Sequence, residues 1–301
     1  LGILIPPSIM LIIMADRLRL SVGDLFLGAI GPGIALAALY AAFIVCCAIF
    51  RPSSAPSASK DSDGESPLQV ASLLYAIVPT LGLILLVLGS IFWGIATPTE
   101  ASALGAIGAL GLAALNGQAK LAVVQEALEE TMNTMGFLFA IFIGATCFSL
   151  VLRLLGGDDL IADAVQTWQA TNYIKVGAIL FVVFLLGFFL EWIEITLIIL
   201  PIVGPVILGM EFPWVERSGM DPTSRPALVW FCVLFAVTLQ TSFLTPPVGF
   251  ALFYVMGVAP KQVDIGDVYR GVLPFIALQL VAIALLLWFP QLVLWLPALK
   301  T

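Results

Sequence analysis

Residues 241–257 read TSFLTPPVGFALFYVMG, a Pro-Pro pair with three hydroxyl side chains in the middle of an apolar run. A proline has no N–H, so the carbonyl four residues earlier loses its helical partner. Pro246 and Pro247 are therefore expected to free the carbonyls of Ser242 and Phe243. The residue before a proline is pushed out of the helical region, which predicts an extended Thr245. The chain is then expected to restart as helix with proline in its first turn, where the missing N–H costs nothing. The segment thus reads as two half-helices joined by an unwound stretch.

The rest of the chain says where that break lies. Of 301 residues, 61% are hydrophobic and only 10% are charged, with no histidine. A soluble domain carries about a quarter charged residues, so this chain belongs in lipid. Long apolar runs occupy Leu25–Phe50, Val70–Gly94, Phe137–Leu155, Val176–Leu190, Ala227–Val237 and Gly271–Phe289. Several approach or exceed the roughly 20 residues that cross a bilayer as helix. With no water to satisfy the backbone, the spans must be helices, and the alternation of a membrane barrel is absent. The fold class expected is an all-α polytopic membrane protein.

The formal net charge is −7, and most of the acids fall in connecting stretches such as Lys60–Glu65, Glu126–Glu130 and Asp158–Asp163, which points away from nucleic acid. Arg17, Arg19, Arg51, Lys60, Lys120 and Lys175 fall on successive connections, so charge sets no orientation. Cys46, Cys47, Cys147 and Cys232 lie inside apolar runs without metal spacing and are expected to be packed thiols. Leu1 sits inside an apolar run with no basic leader; no signal peptide is expected, and the N-terminus reads as incomplete.

Four regions follow. Residues 1–50 hold a Pro6-Pro7 interruption, a short amphipathic piece with Asp16, Arg17 and Arg19, and a long span. Residues 51–69 are a Ser/Pro-rich polar linker, read as disordered. Residues 70–173 hold spans at 70–94 and roughly 101–116, an interfacial helix at 117–131, a span at about 132–155 and a loop at 156–172. Residues 174–301 hold a run broken at EWIEIT (191–196), a polar loop at 211–225, the Pro-Pro segment and a last span closing near Pro297.

The two ends resemble each other. LIPP (4–7) matches LTPP (244–247), and DLFLGAIGP (24–32) matches DVYRGVLP (267–274) at nearly the same offset. Pro6 and Pro7 should free the carbonyls of Gly2 and Ile3 and leave Ile5 extended. Four plain spans and the broken unit at 174–209 lie between the copies; whether that unit is a re-entrant hairpin or two crossings, the number of crossings is even, so the second copy is inverted. Inverted repeats with broken helices mark secondary transporters that bind near the midplane.

Unpaired backbone in lipid costs several kcal/mol per group unless protein, water or an ion satisfies it. Carbonyls with the hydroxyls of Thr241, Ser242 and Thr245 are hard oxygen ligands suited to a small cation. The restarted helix also turns the positive end of its dipole toward an anionic substrate. Glu191 and Glu194, flanking Trp192 ahead of Thr196, are acids in apolar context and read as a hairpin tip that gates or lines an ion site, or as an interfacial tip. Glu100 in TPTEA reads as an N-terminal helix acid. The Gly28, Gly31, Gly33 cluster reads as close helix packing. The substrate's carboxylate is expected to meet a helix end or an arginine, with Arg153 near a span. Without histidine, His-dependent zinc proteases and Ser-His hydrolases are excluded; an intramembrane enzyme or a channel is the alternative reading, and the spans are too apolar for a pore.

At these motifs the sequence resembles the large membrane subunit of tripartite ATP-independent periplasmic (TRAP) transporters, the DctM-type permease. The matching stretches are LGILIPPSIM, FLGAIGPGIAL, GIATPTEASALGA, LPIVGPVI and TPPVGFALFYVMGVAP, spread over nearly the whole chain. FFLEWIEITLIILP and LQTSFLTPPVGFALFY look like the branch named for mannitol or chloroaromatic compounds. The resemblance implies a sodium-coupled elevator transporter of the bacterial inner membrane that imports organic acids. It implies a small four-helix, DctQ-like membrane subunit and a soluble periplasmic binding protein as partners, and no cofactor besides sodium. The family uses no ATP, and the chain has no Walker motif. By motif match, Gly2, Ile3, Pro6, Pro7 and Ser8 fall on the first broken helix, and Thr241, Ser242, Thr245, Pro246, Pro247 and Gly249 on the second. Residues 176–209 fall on the second re-entrant hairpin. The first hairpin should precede Leu1, which would leave this chain without half of one ion site.

Overall fold

The computed structural model describes residues 2, 4–50, 70–246, 252, 255, 256 and 264–299. Among them there is no strand. The helices are α1 (Ile9–Leu18), α2 (Val22–Phe50), α3 (Val70–Phe92), α4 (Pro98–Leu115), α5 (Leu121–Leu154), α6 (Gly157–Thr167), α7 (Asn172–Leu186), α8 (Trp192–Leu208), α9 (Pro226–Leu244), α10 (Ile265–Trp288) and α11 (Gln291–Ala298). Five are long and apolar enough to cross a membrane: α2, α4, α5, α10, and α9 with the turn before it. The chain is an all-α, multi-pass membrane protein. The linker at 51–69 lies outside the described residues.

The chain forms two compact units, residues 41–137 and residues 1–40 with 138–301. In the smaller unit α3 packs on α4. Gly105 and Gly108 make room for Val87 and Leu83 on the facing helix. Thr97 and Glu100 cap α4 reciprocally. The Thr97 N–H donates to the Glu100 carboxylate at 2.8 Å, and the Glu100 N–H donates to the Thr97 hydroxyl at 3.3 Å. Two orphan donors of the first turn are satisfied in this way, so Glu100 works as the N-terminal helix acid that its place after Pro98 suggests.

In the larger unit α9 is the axle. Every residue from Pro226 to Phe243 is buried, and α1, α7, α8, α10 and α11 all pack against it. The Trp230 indole N–H donates to the Leu286 carbonyl of α10 at 2.8 Å. The Arg225 guanidinium donates to the Leu18 carbonyl at 3.2 Å, which ties the end of α1 to the start of α9. The small-residue cluster of α2 does pack closely. A Cβ on Gly28 would touch Val229 and Val293, one on Gly31 would come within 2.8 Å of the Leu292 carbonyl oxygen, and one on Gly33 within 2.8 Å of Ile5 Cγ1.

Several boundaries differ from the sequence reading. The segments at 117–131 and 132–155 are one 34-residue helix, α5. Its polar first half holds good helix formers and no proline, so nothing stops it from continuing into the apolar half. The stretch at 156–172 contains α6 rather than only loop; Asp158 and Asp159 sit in its first turn, where they complement the dipole. Asp16 and Arg17 belong to the last turn of α1, not to a separate amphipathic piece. The final span divides at Phe289–Pro290 into α10 and α11, since a proline after Phe289 disfavours helix there. Of the four cysteines expected to pack inside, Cys232 is buried, whereas Cys46 and Cys147 are exposed on outward helix faces.

Candidate functional site: the broken helix and the hairpin tip

The interruption at Pro246 ends α9. Leu244 is its last residue, and Thr245 is extended (φ −91°, ψ 126°), as a residue before proline should be. The Ser242 carbonyl is not left free, as the proline argument had it. The Thr245 N–H donates to it at 3.1 Å, because the last turn of a helix can tighten into i to i+3 bonds. Pro247 and Gly249 lie outside the described residues.

What survives is the hydroxyl set. Thr238, Thr241 and Ser242 stand at helical spacing on one face of α9 and are buried, and Thr245 follows as its C-cap. Each donates its hydrogen back to the helix: Thr238 to Leu234 at 2.9 Å, Thr241 to Val237 at 2.8 Å, Ser242 to Leu239 at 2.8 Å and Thr245 to Thr241 at 2.8 Å. With the hydrogen spent on the helix, each oxygen keeps lone-pair capacity for an outside partner. This is a neutral, hard-oxygen donor stripe. Among the described residues no three of His, Cys, Asp and Glu converge on a metal position, so any cation here would rest on hydroxyl and carbonyl oxygens.

The stripe faces a tight turn. α7 and α8 run 15 and 17 residues, about 22 and 25 Å at 1.5 Å per residue. Each is shorter than a full crossing of roughly 30 Å. They are joined across Gly187–Glu191, so the break begins ahead of EWIEIT and takes in only its first residue. The Phe188 and Phe189 N–H groups donate to Leu185 and Leu186, which closes the turn. Gly187 lies directly on Ser242. A Cβ there would overlap the Ser242 hydroxyl and stand 2.6 Å from its Cβ. The sequence reading missed Gly187; the glycine ahead of FFLEW was its signal, and its contact 55 residues away was not.

Glu191 is the N-cap residue of α8, and the Glu194 carboxylate accepts the Glu191 N–H at 3.3 Å. Thr196 is fully buried and donates to the Trp192 carbonyl at 2.6 Å. All three therefore have local work at the start of α8, beside the turn that carries Gly187.

At the first break Gly2 is exposed, Pro6 is buried and Ile3 lies outside the described residues. α1 restarts at Ile9, two residues beyond Pro7, and not with proline in its first turn. Ser8 makes the start: it is 2% exposed, and its hydroxyl accepts the Leu11 N–H at 3.4 Å. A serine N-cap satisfies an orphan donor that proline would have left alone. α1 packs on both α8 and α9, so the restarted helix, the second arm of the hairpin and the hydroxyl-bearing helix share one core. Arg153 is no candidate for a buried anion: it is exposed and its Nε pairs with Asp158 at 2.9 Å.

The described residues thus form a helical membrane protein in which a helical hairpin lies against the hydroxyl-bearing end of a buried helix. The chain belongs to the family described as "Tripartite ATP-independent periplasmic transporter, DctM component", whose model matches residues 1–292. It is similar to the sialic acid TRAP transporter large permease protein SiaM of Vibrio cholerae, with 30% identity over 302 aligned residues, 99% of this chain and 65% of that protein. It is also similar to the ectoine TRAP transporter large permease protein TeaC of Halomonas elongata, with 29% identity over 297 residues, 98% of this chain and 64% of the relative. The C4-dicarboxylate TRAP transporter large permease protein DctM of Pseudomonas aeruginosa is 27% identical over 298 residues, 99% of this chain and 65% of its own length. The chain thus spans just under two thirds of the length of these relatives. Its relatives are permeases, and its place is the inner membrane as a multi-pass protein.

Proposed function

We propose that this chain supplies the cation-binding core of the large permease subunit of a sodium-coupled secondary transporter that imports an organic acid. The observation that carries the reading is the burial of a hydroxyl stripe at the end of an interrupted helix, with Gly187 of the hairpin tip pressed on Ser242. Sodium, a hard cation, would be held as cargo by oxygens of Thr241, Ser242 and Thr245. The α7–α8 pair would act as a re-entrant hairpin whose tip covers or uncovers that stripe. Family membership and the LIPP/LTPP repeat support an inverted-repeat, elevator-type movement of these elements. Three relatives are named for sialic acid, ectoine and C4-dicarboxylates, solutes that each carry a carboxylate. A carboxylate could rest near the capped N-terminus of α1, where the helix dipole is positive. A small membrane subunit and a periplasmic binding protein that delivers the solute complete the assembly in this reading.

The test is solute uptake into proteoliposomes carrying the full-length permease, its small subunit and the binding protein. The expected result is uptake that follows an imposed inward sodium gradient and needs no ATP. Uptake that ignores the sodium gradient, or that requires ATP, overturns the proposal.

A further inference from the structure

Arg17 stands in the last turn of α1 with little to balance it. Its guanidinium carbon lies 4.5 Å from the centre of the Phe142 ring of α5, a cation–π contact. Its ion pair with Asp16 is long: Nε to the carboxylate is 4.0 Å, and the Asp16 side chain is 77% exposed. Nε itself is buried and makes no hydrogen bond. Arg17 borders a groove of about 460 Å³ lined by Phe139, Phe142, Ile143, Thr146 and Cys147. A smaller cavity of about 110 Å³ shares Arg17, Phe142 and Thr146 and reaches Leu197 and Pro201 of α8. The Thr146 hydroxyl donates to the Phe142 carbonyl at 2.6 Å and is spent on its own helix.

The groove therefore offers one cation with unused donors at one end and apolar side chains along the rest. A small anion would use the arginine and leave Phe139, Ile143 and Cys147 without a partner. An anion with a hydrocarbon body fits both ends. Depth points the same way, on the reading that places the Pro6-Pro7 break near the midplane. Arg17 lies eight residues beyond Ile9, about 12 Å along the helix axis at 1.5 Å per residue. That is the edge of a hydrocarbon core roughly 30 Å thick, the level of phospholipid phosphates, where long basic side chains turn toward the interface. Phe139 and Ile143 are 61% and 65% exposed, an open apolar face for an acyl chain.

We propose that this groove binds an anionic phospholipid, with the phosphate on the Arg17 guanidinium and one acyl chain along the Phe139–Ile143 face of α5. The purified chain in neutral detergent is titrated with phosphatidylglycerol or phosphatidylcholine, and retained lipid is counted by native mass spectrometry. Wild type should retain phosphatidylglycerol about fivefold better than phosphatidylcholine, a preference that Arg17→Gln abolishes and Arg153→Gln leaves intact. Inorganic phosphate at millimolar concentration should not displace the lipid. Equal retention of the two lipids by wild type, an unchanged preference in Arg17→Gln, or displacement by inorganic phosphate each overturns the site. Should Arg17→Gln not fold, Phe139→Ala serves instead: it should reduce retention of both lipids by about threefold, and no reduction overturns the site. Sodium dependence reads the other proposal separately. A protein with normal sodium dependence and no lipid preference loses the lipid site alone, and one without sodium dependence loses the midplane reading whatever the lipid count.

Discussion

The two proline pairs carry nearly the same letters, LIPP and LTPP, and sit on opposite sides of their helices. At the first, the described helix follows the prolines, Ser8 is the single hydroxyl, and it is used as an N-cap. At the second, the described helix precedes the prolines and brings the buried Thr238, Thr241 and Ser242, with the half-buried Thr245, to its end. The proline rule is shared, because it acts on backbone. The chemistry is not, because it depends on which side chains flank the break and on what covers them. Gly33 of α2 admits Ile5 at the first break, and Gly187 of the hairpin admits Ser242 at the second.

That contrast can be broken first at Gly187. Gly187→Val keeps an ordinary backbone (φ −65°) but drives side-chain atoms into Ser242. The expected cost is about 3 kcal/mol of stability, read by thermal unfolding in detergent followed by circular dichroism; a melting temperature equal to wild type would mean that the hairpin does not rest on the stripe. Gly33→Ala probes the first break. Its Cβ meets one side chain, Ile5, so a loss of about 1 kcal/mol is expected in the same assay, and a loss as large as that of Gly187→Val would erase the distinction between the breaks. Ser8→Ala should cost about 0.5–1 kcal/mol through the lost cap, without altering sodium dependence of uptake; a shift in sodium dependence would show that Ser8 is a ligand as well as a cap.

The smallest effect lies outside the spans. Asp221 accepts the Thr223 N–H at 2.8 Å, and that bond holds its carboxyl below the usual carboxylate range. A depressed carboxylate stabilises above its unfolded value, and the contribution fades as pH falls through the lower folded value. The turn at Pro222–Ser224 should therefore loosen only in acid, below the ordinary range. Protection of the Thr223 amide, relative to its intrinsic exchange rate, should fall there in wild type; Asp221→Asn, whose amide oxygen still accepts the N–H, should show no such acid dependence, and Asp221→Ala should be unprotected already at neutral pH.

Much of the fold was legible because lipid imposes simple demands. Apolar runs became helices, and Pro98, Pro226 and Pro246 mark helix boundaries near where prolines must. Thr245 is extended for the same local reason. What escaped was set by distance or by composition that misleads. The acids of Asp158–Asp163 looked like loop and instead start and face a helix. The polar stretch before Met132 looked like a separate interfacial piece, yet no residue there breaks α5. Arg17 looked like part of a connection, and only the fold sets it over Phe142. At the candidate site the hydroxyl residues of α9 were legible from their spacing near Pro-Pro, while the partner that covers them, Gly187, and the rebonding of the Ser242 carbonyl were not, since both arise from packing.

In the proposed function, hydroxyl oxygens at the end of α9 hold the coupling cation. That role is tested most directly by the sodium concentration that half-saturates uptake in proteoliposomes, comparing wild type with Thr245→Ala in the full-length assembly. The account predicts a rise of about tenfold, the loss of one oxygen ligand, with a melting temperature close to wild type. The same half-saturating concentration in both proteins would contradict it.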